Sequence, residues 1–198
     1  TFEVPFQIND NNDNVLLNKQ ICDGTLGDSE LHDNIHISHI DSIIVDSFVL
    51  VSNSNLPDIK QVILCLKNDK NEDEFYTFGV SAIMENMAYL MERLCFPDDY
   101  IISPDFPYIV AEKVSDFYVN GFSENSEMVL ALCDMCLMTS NPAQIYVEVM
   151  QGIRKGNLKF NKPEDVYDHF YSLTSKSVYG EEFSFIEGFK RMFNMTLT

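Results

Sequence analysis

Residues 75–96, FYTFGVSAIMENMAYLMERLCF, form the longest periodic stretch of the chain, and their reading decides the fold. Ile83, Met84, Met87, Leu90, Met91 and Leu94 recur at spacings of three and four, the apolar stripe of an amphipathic helix. Such a helix normally carries charge on its other side. Here that side holds Phe78, Ser81, Ala82, Glu85, Ala88, Tyr89 and Glu92. Small residues admit a second helix at close range, so the pattern predicts a helix with two contact faces at the centre of a bundle. Glu85 and Glu92 fall about two turns apart on the second face. If that face is covered, both carboxylates are buried and need partners, protons or a metal ion. If it is open, they are ordinary solvated acids.

Working back toward the start, EFYTF and KQVILCLK flank the polar NDKNED and predict a β-hairpin whose second arm runs into the central helix near Gly79 or Ser81, either a candidate N-cap. Residues 35–52, IHISHIDSIIVDSFVLVS, are dense in β-branched side chains and predict strand. Ile37, Ile40, Ile44, Phe48 and Val51 nevertheless keep helical spacing. FEVPFQI reads as an edge strand, because Pro5 has no N–H to give a ladder, and the Asn-, Asp- and Gly-rich stretches around it read as loop.

Beyond Phe96 the character changes to helices separated by turns. PDDYIISPDFP breaks the chain, and helices are predicted over 107–119, 127–139, 142–155, from Pro163 through Leu173, and over 181–195. Asn141-Pro142 is a start signal, an N-cap followed by proline in the first turn, and Gly156 a stop. The last segment is aromatic, with Phe185, Phe189 and Phe193. The expected architecture is therefore α+β and mainly α: a single domain over residues 1–198, with a β-containing portion (1–74) packed on a bundle of about six helices (75–198).

Composition narrows the function. Hydrophobic residues make up 45% of the 198 and include fifteen Phe, enough for a sizeable core. There is no run of about eighteen apolar residues, and no basic segment leads into an apolar one at the start, so neither a membrane span nor a signal peptide is expected. The chain opens on Thr rather than Met, which fits removal of a preceding segment. Thirteen basic against thirty-one acidic residues give a net charge of −18, the wrong sign for phosphate backbones and anionic lipid, and the right one for basic protein partners or cations. The same charge also keeps an apolar-rich chain soluble. Five cysteines, an odd number with some inside apolar runs, point to free thiols in a reducing compartment, the cytoplasm.

Chemistry has few candidates. Asp134 sits in MVLALCDMCLM, a segment apolar all round, and is expected to be buried and hydrogen-bonded, paired, protonated or bound to a cation. With Glu85, Glu92 and Glu112 it could form a carboxylate cluster of the kind that holds two metal ions in helical bundles, although the accompanying Glu-x-x-His motif is absent. His32, His36 and His39 would share a face on a helix, as zinc requires; on a strand His39 points away from the other two. Cys133-x-x-Cys136 lacks the second pair of a zinc site and lies mid-helix, where core packing accounts for it. Arg154, Lys155, Lys159 and Lys162 cluster after one helix, where they complement its dipole or grip an anion. No phosphate-binding glycine loop or hydrolase elbow occurs.

Three functional expectations follow. The foremost is an acidic interaction or inhibitor-type module that binds and blocks a basic protein, in the manner of immunity and anti-defence proteins, without enzymatic activity or a cofactor. The second is a carboxylate-based metal protein or enzyme using Glu85, Glu92 and Asp134. The third is an accessory domain of a larger chain. Partner identity and oligomeric state leave no trace in the residues.

Overall fold

The computed structural model describes Cys22 and residues 24–28, 37–49, 59–68, 70–176, 182–184 and 187. Strands β1 (Ile37–Val49), β2 (Ile59–Asn68) and β3 (Asp73–Phe78) form an antiparallel sheet in that order. β-branching prevails over helical spacing in β1, and the expected hairpin is β2–β3. The parity of β1 changes along its length. Ile40 is opposite Leu66, but Ser42 is opposite Cys65, so one extra residue sits at Asp41. That bulge shifts the inward set from Ile40 to Ile43 and Val45, which face Leu64 and Val62 of β2. Val62, Leu64 and Leu66 of β2, with Tyr76 and Phe78 of β3, bury the sheet's inner face.

Five α-helices follow: α1 (Val80–Cys95), α2 (Val110–Tyr118), α3 (Ser126–Leu137), α4 (Pro142–Arg154) and α5 (Pro163–Ser172). A 3-10 turn, Phe122–Glu124, links α2 to α3. The predicted starts are largely in place. Asn125 caps α3 by accepting from the Met128 amide, and Asn141 caps α4 ahead of Pro142. Gly79 precedes α1 without a side-chain cap, so Ser81 plays no capping part. The architecture is the α+β, mainly α arrangement expected from the sequence, and sheet and helices share one hydrophobic core. Phe78 meets Tyr146 of α4 edge-on at 5.6 Å, and the Asn141 amide donates to the Lys60 carbonyl of β2 at 2.8 Å.

Two expectations about the fold need correction. The central helix is α3, not α1: α3 packs against α1, α2, α4 and α5 and buries seven side chains between Met128 and Cys136. α1 buries a single face, Ala82, Ile83, Asn86, Tyr89 and Leu90. Its second apolar line is left in water because no described element packs outside it. The helix expected over 181–195 is also not formed as drawn, for Glu182–Ser184 is a strand, β5, paired with β4 (Thr174–Lys176). The rest of that segment, except Glu187, lies outside the described residues, as does the FEVPFQI strand.

One tertiary tie has backbone consequences. Cys22 and Gly24–Leu26, expected as loop, are helical, and the turn leads to Gly27, whose φ of +71° is costly for any side chain. Here Gly27 and Gly79 approach so closely that a Cβ on Gly79 would lie 2.4 Å from the Leu26 carbonyl. Asp28 follows, exchanging bonds with β3: its N–H donates to the Thr77 carbonyl (2.9 Å), and its carboxylate accepts from the Thr77 N–H (2.7 Å).

Candidate functional site

The polar groups of the interior form a closed set between α1, α2 and α4. Asn86 interrupts the buried face of α1, where Ile83 and Leu90 flank it, and Glu112 lies in the first turn of α2. The two pair twice. The Asn86 Nδ2 donates to Glu112 Oε2 at 2.8 Å, and the Glu112 N–H donates to Asn86 Oδ1 at 2.9 Å. Arg93, in the last turn of α1, donates to Glu112 Oε1 at 2.7 Å and lies over the Tyr89 ring. Glu112 is only 7% exposed, so this charge is held by a cation and an amide rather than by water. Nearby, Tyr146 of α4 shares a 2.7 Å bond with Ser115 and donates to the Ala111 carbonyl. Among the described residues no buried side-chain nitrogen or oxygen lacks a partner.

Burial pushes the Cys133 and Cys136 thiols and the Tyr146 hydroxyl well above their ordinary ranges. All three stay protonated at neutral pH, and both cysteines of the C-x-x-C pair are packed in the hydrophobic core. Two open depressions lie on the described surface: one of about 570 Å3 between Leu94 and residues 121–127, and one of about 410 Å3 lined by Tyr118, Gln151, Arg154 and Lys155.

The residues singled out in the sequence are not brought together. Glu85 and Glu92, buried only if their face of the helix were covered, are exposed on the outer face of α1 as solvated acids. The reason is the displacement of α1 from the centre: the face that carries them was to be covered and is not. Asp134 is half-buried rather than sealed in, and accepts a bond from the Tyr167 hydroxyl of α5 at 3.2 Å. Of the fourth acid, Glu112, both oxygens are engaged by Asn86 and Arg93. His39 is on β1, exposed, with Asp41 2.8 Å away, whereas His32 and His36 lie outside the described residues. Among the described residues no three His, Cys, Asp or Glu side chains converge as a metal site would require. Sequence reasoning passed over Asn86 and Arg93. A polar residue on the apolar line of Ile83 and Leu90 was the available signal.

Among the described residues, α1 carries an apolar line on its outer side. Met84, Ala88, Met91 and Cys95 follow one another at spacings of four, three and four along the side of α1 opposite Asn86 and Arg93. Met84 is 56% exposed and Met91 47%, and Leu94 lies beside them at the first depression. The chain then continues through Phe96 to Ile101 and Ile102, the last 84% exposed. Glu85, Glu92, Asp98 and Asp99 are all exposed within this same stretch. Comparison with protein-family models, with curated proteins and with solved structures finds no match.

Proposed function

We propose that this protein is an interaction module of the blocking type, which binds a basic protein partner through the outer face of α1 and the segment that follows it. The observation that carries the reading is the apolar line of Met84, Met91 and Leu94, held in water on a scaffold whose own polar interior is closed, with Glu85 and Glu92 beside it. Exposed apolar side chains gathered on one face, rather than scattered, mark surfaces that are covered by something else. Methionines suit such a face because their flexible thioether chains adapt to a partner's shape. A charge of −18 selects the sign of that partner and speeds its approach. Five free thiols support a reducing compartment, and we place the protein in the cytoplasm. No helix among the described residues is long and apolar enough to cross a membrane.

The test uses the full chain and a Met84→Lys/Met91→Lys variant as parallel baits in an extract of the source cells. A stoichiometric basic protein, recovered with the natural chain and lost with the variant, is the expected result. Identical recoveries with both baits, or recovery of acidic proteins alone, would sink the reading.

A further inference from the structure

From the form of that face we infer that its occupant is a basic amphipathic helix, laid along α1 with its apolar side on Met84, Ala88 and Met91 and its cations against Glu85 and Glu92; this rests on the interaction reading above and specifies its partner. The apolar line runs from Met84 to Cys95, roughly 16 Å at about 1.5 Å per residue. That length matches about three turns of a docking helix. A strand would need backbone partners, and the backbone of α1 is already bonded within its own helix. What α1 offers is a ridge of side chains with a small residue, Ala88, at its middle, which lets a second helix settle at close distance.

Charge decides among helices. Glu85 and Glu92 lie on one flank of the line at a seven-residue interval, and neither has a salt-bridge partner among the described residues. The one cation in this length of α1, Arg93, faces inward and is engaged by Glu112. At the far end Leu94, on the other side of the line from Glu85 and Glu92, borders the open depression that Glu124 and Glu127 also line, so acids stand on both sides. A second copy of this chain would bring Glu85 and Glu92 against their own counterparts, between two bodies each of charge −18. A helix with Lys or Arg beside its apolar stripe meets the opposite sign at each of these points.

The test titrates the full chain into a fluorescein-labelled synthetic helix of about eighteen Leu and Lys residues in amphipathic order, long enough to span the line. A peptide of identical composition in scrambled order serves as the comparison, both read by anisotropy. The ordered peptide is expected to bind at least about tenfold more tightly than the scrambled one, a difference of about 1.4 kcal/mol. Met84→Lys/Met91→Lys should abolish the preference. Glu85→Gln/Glu92→Gln should weaken binding and flatten its salt dependence. Unfolding curves of both variants should overlay that of the natural chain, since all four side chains are exposed. Equal binding of ordered and scrambled peptides, or binding indifferent to the variants, would overturn the inference. So would a dimer in sedimentation that Met84→Lys disperses, because the occupant would then be a second copy. If the variant bait still loses a basic partner while the ordered peptide gains no preference, the interaction role stands and only the helical occupant falls.

Discussion

Replacing Glu112 by Ala tests whether the interior network stabilises the fold or merely fills it. The change removes the acceptor of the Asn86 Nδ2 and the counter-charge of Arg93, while the bond from the residue-112 amide to Asn86 Oδ1 survives. A buried donor left without an acceptor costs about 1–3 kcal/mol, and breaking a fully buried ion pair about 3–5. The Arg93 side chain is 27% exposed and can turn toward water, which puts the net cost nearer the low end, about 2–3 kcal/mol. Glu112→Gln keeps one acceptor oxygen but turns its NH2 against a donor, either the Asn86 Nδ2 or Arg93, so it should cost about 1–3 kcal/mol. Adding Arg93→Ala to Glu112→Ala completes a double-mutant cycle whose coupling should be about 1 kcal/mol or more. Urea unfolding followed by far-UV circular dichroism gives the numbers, the chain having no Trp for fluorescence. A Glu112→Ala protein within about 0.5 kcal/mol of the natural one, with no coupling to Arg93, would refute this reasoning.

Leu132→Ala, in the middle of α3, should cost about 3–4 kcal/mol, and Met91→Ala on α1 less than about 0.5, a contrast in urea midpoints that checks which helix is enclosed. Gly79→Ala forces a Cβ against the Leu26 backbone and should cost roughly 2 kcal/mol or more; Gly156→Ala, at φ +75° with open space around it, only about 1, both measured by thermal unfolding. His169 lies against the Phe160 and Phe170 rings, and burial holds its imidazole below the usual range. The unfolded chain therefore takes up this proton first as pH falls, so the His169 contribution to stability should decline below about pH 6.5 and level off once the folded imidazole is protonated. A His169→Gln protein should lack that component in denaturation curves collected across this range.

Local signals made most of the elements legible. The hairpin followed from two apolar runs around a polar turn, and α4 from Asn141 and Pro142, because caps and turns are chemistry of neighbouring residues. The place of each helix was harder to read. α1 and α3 are both apolar on more than one side, and nothing local says which of two such helices will be surrounded. The carboxylates go with the helix: burial of Glu85 and Glu92 requires α1 to be enclosed on its second face, and that face is open. The sequence offers Glu112 only as a possible member of a metal-binding cluster, since its burial depends on Asn86 and Arg93, nineteen or more positions away. The strand at Glu182–Ser184 depends on its pairing with Thr174–Lys176, which a strong run of aromatic residues concealed.

The exchange between Asp28 and Thr77 has a further consequence, for how the protein behaves in a crowd of its own copies. β3 is the last strand of its sheet, and its outward backbone groups would otherwise template a strand from another molecule. At Thr77 both the N–H and the carbonyl are taken by Asp28, from a segment that is not itself a strand and turns away at Gly27. Growth by end-to-end addition of sheets is thus obstructed near the entry to α1, and a carboxylate is installed where a newcomer would have to line up. The glycine pair that permits this approach protects the molecule from its neighbours as much as it orders the chain.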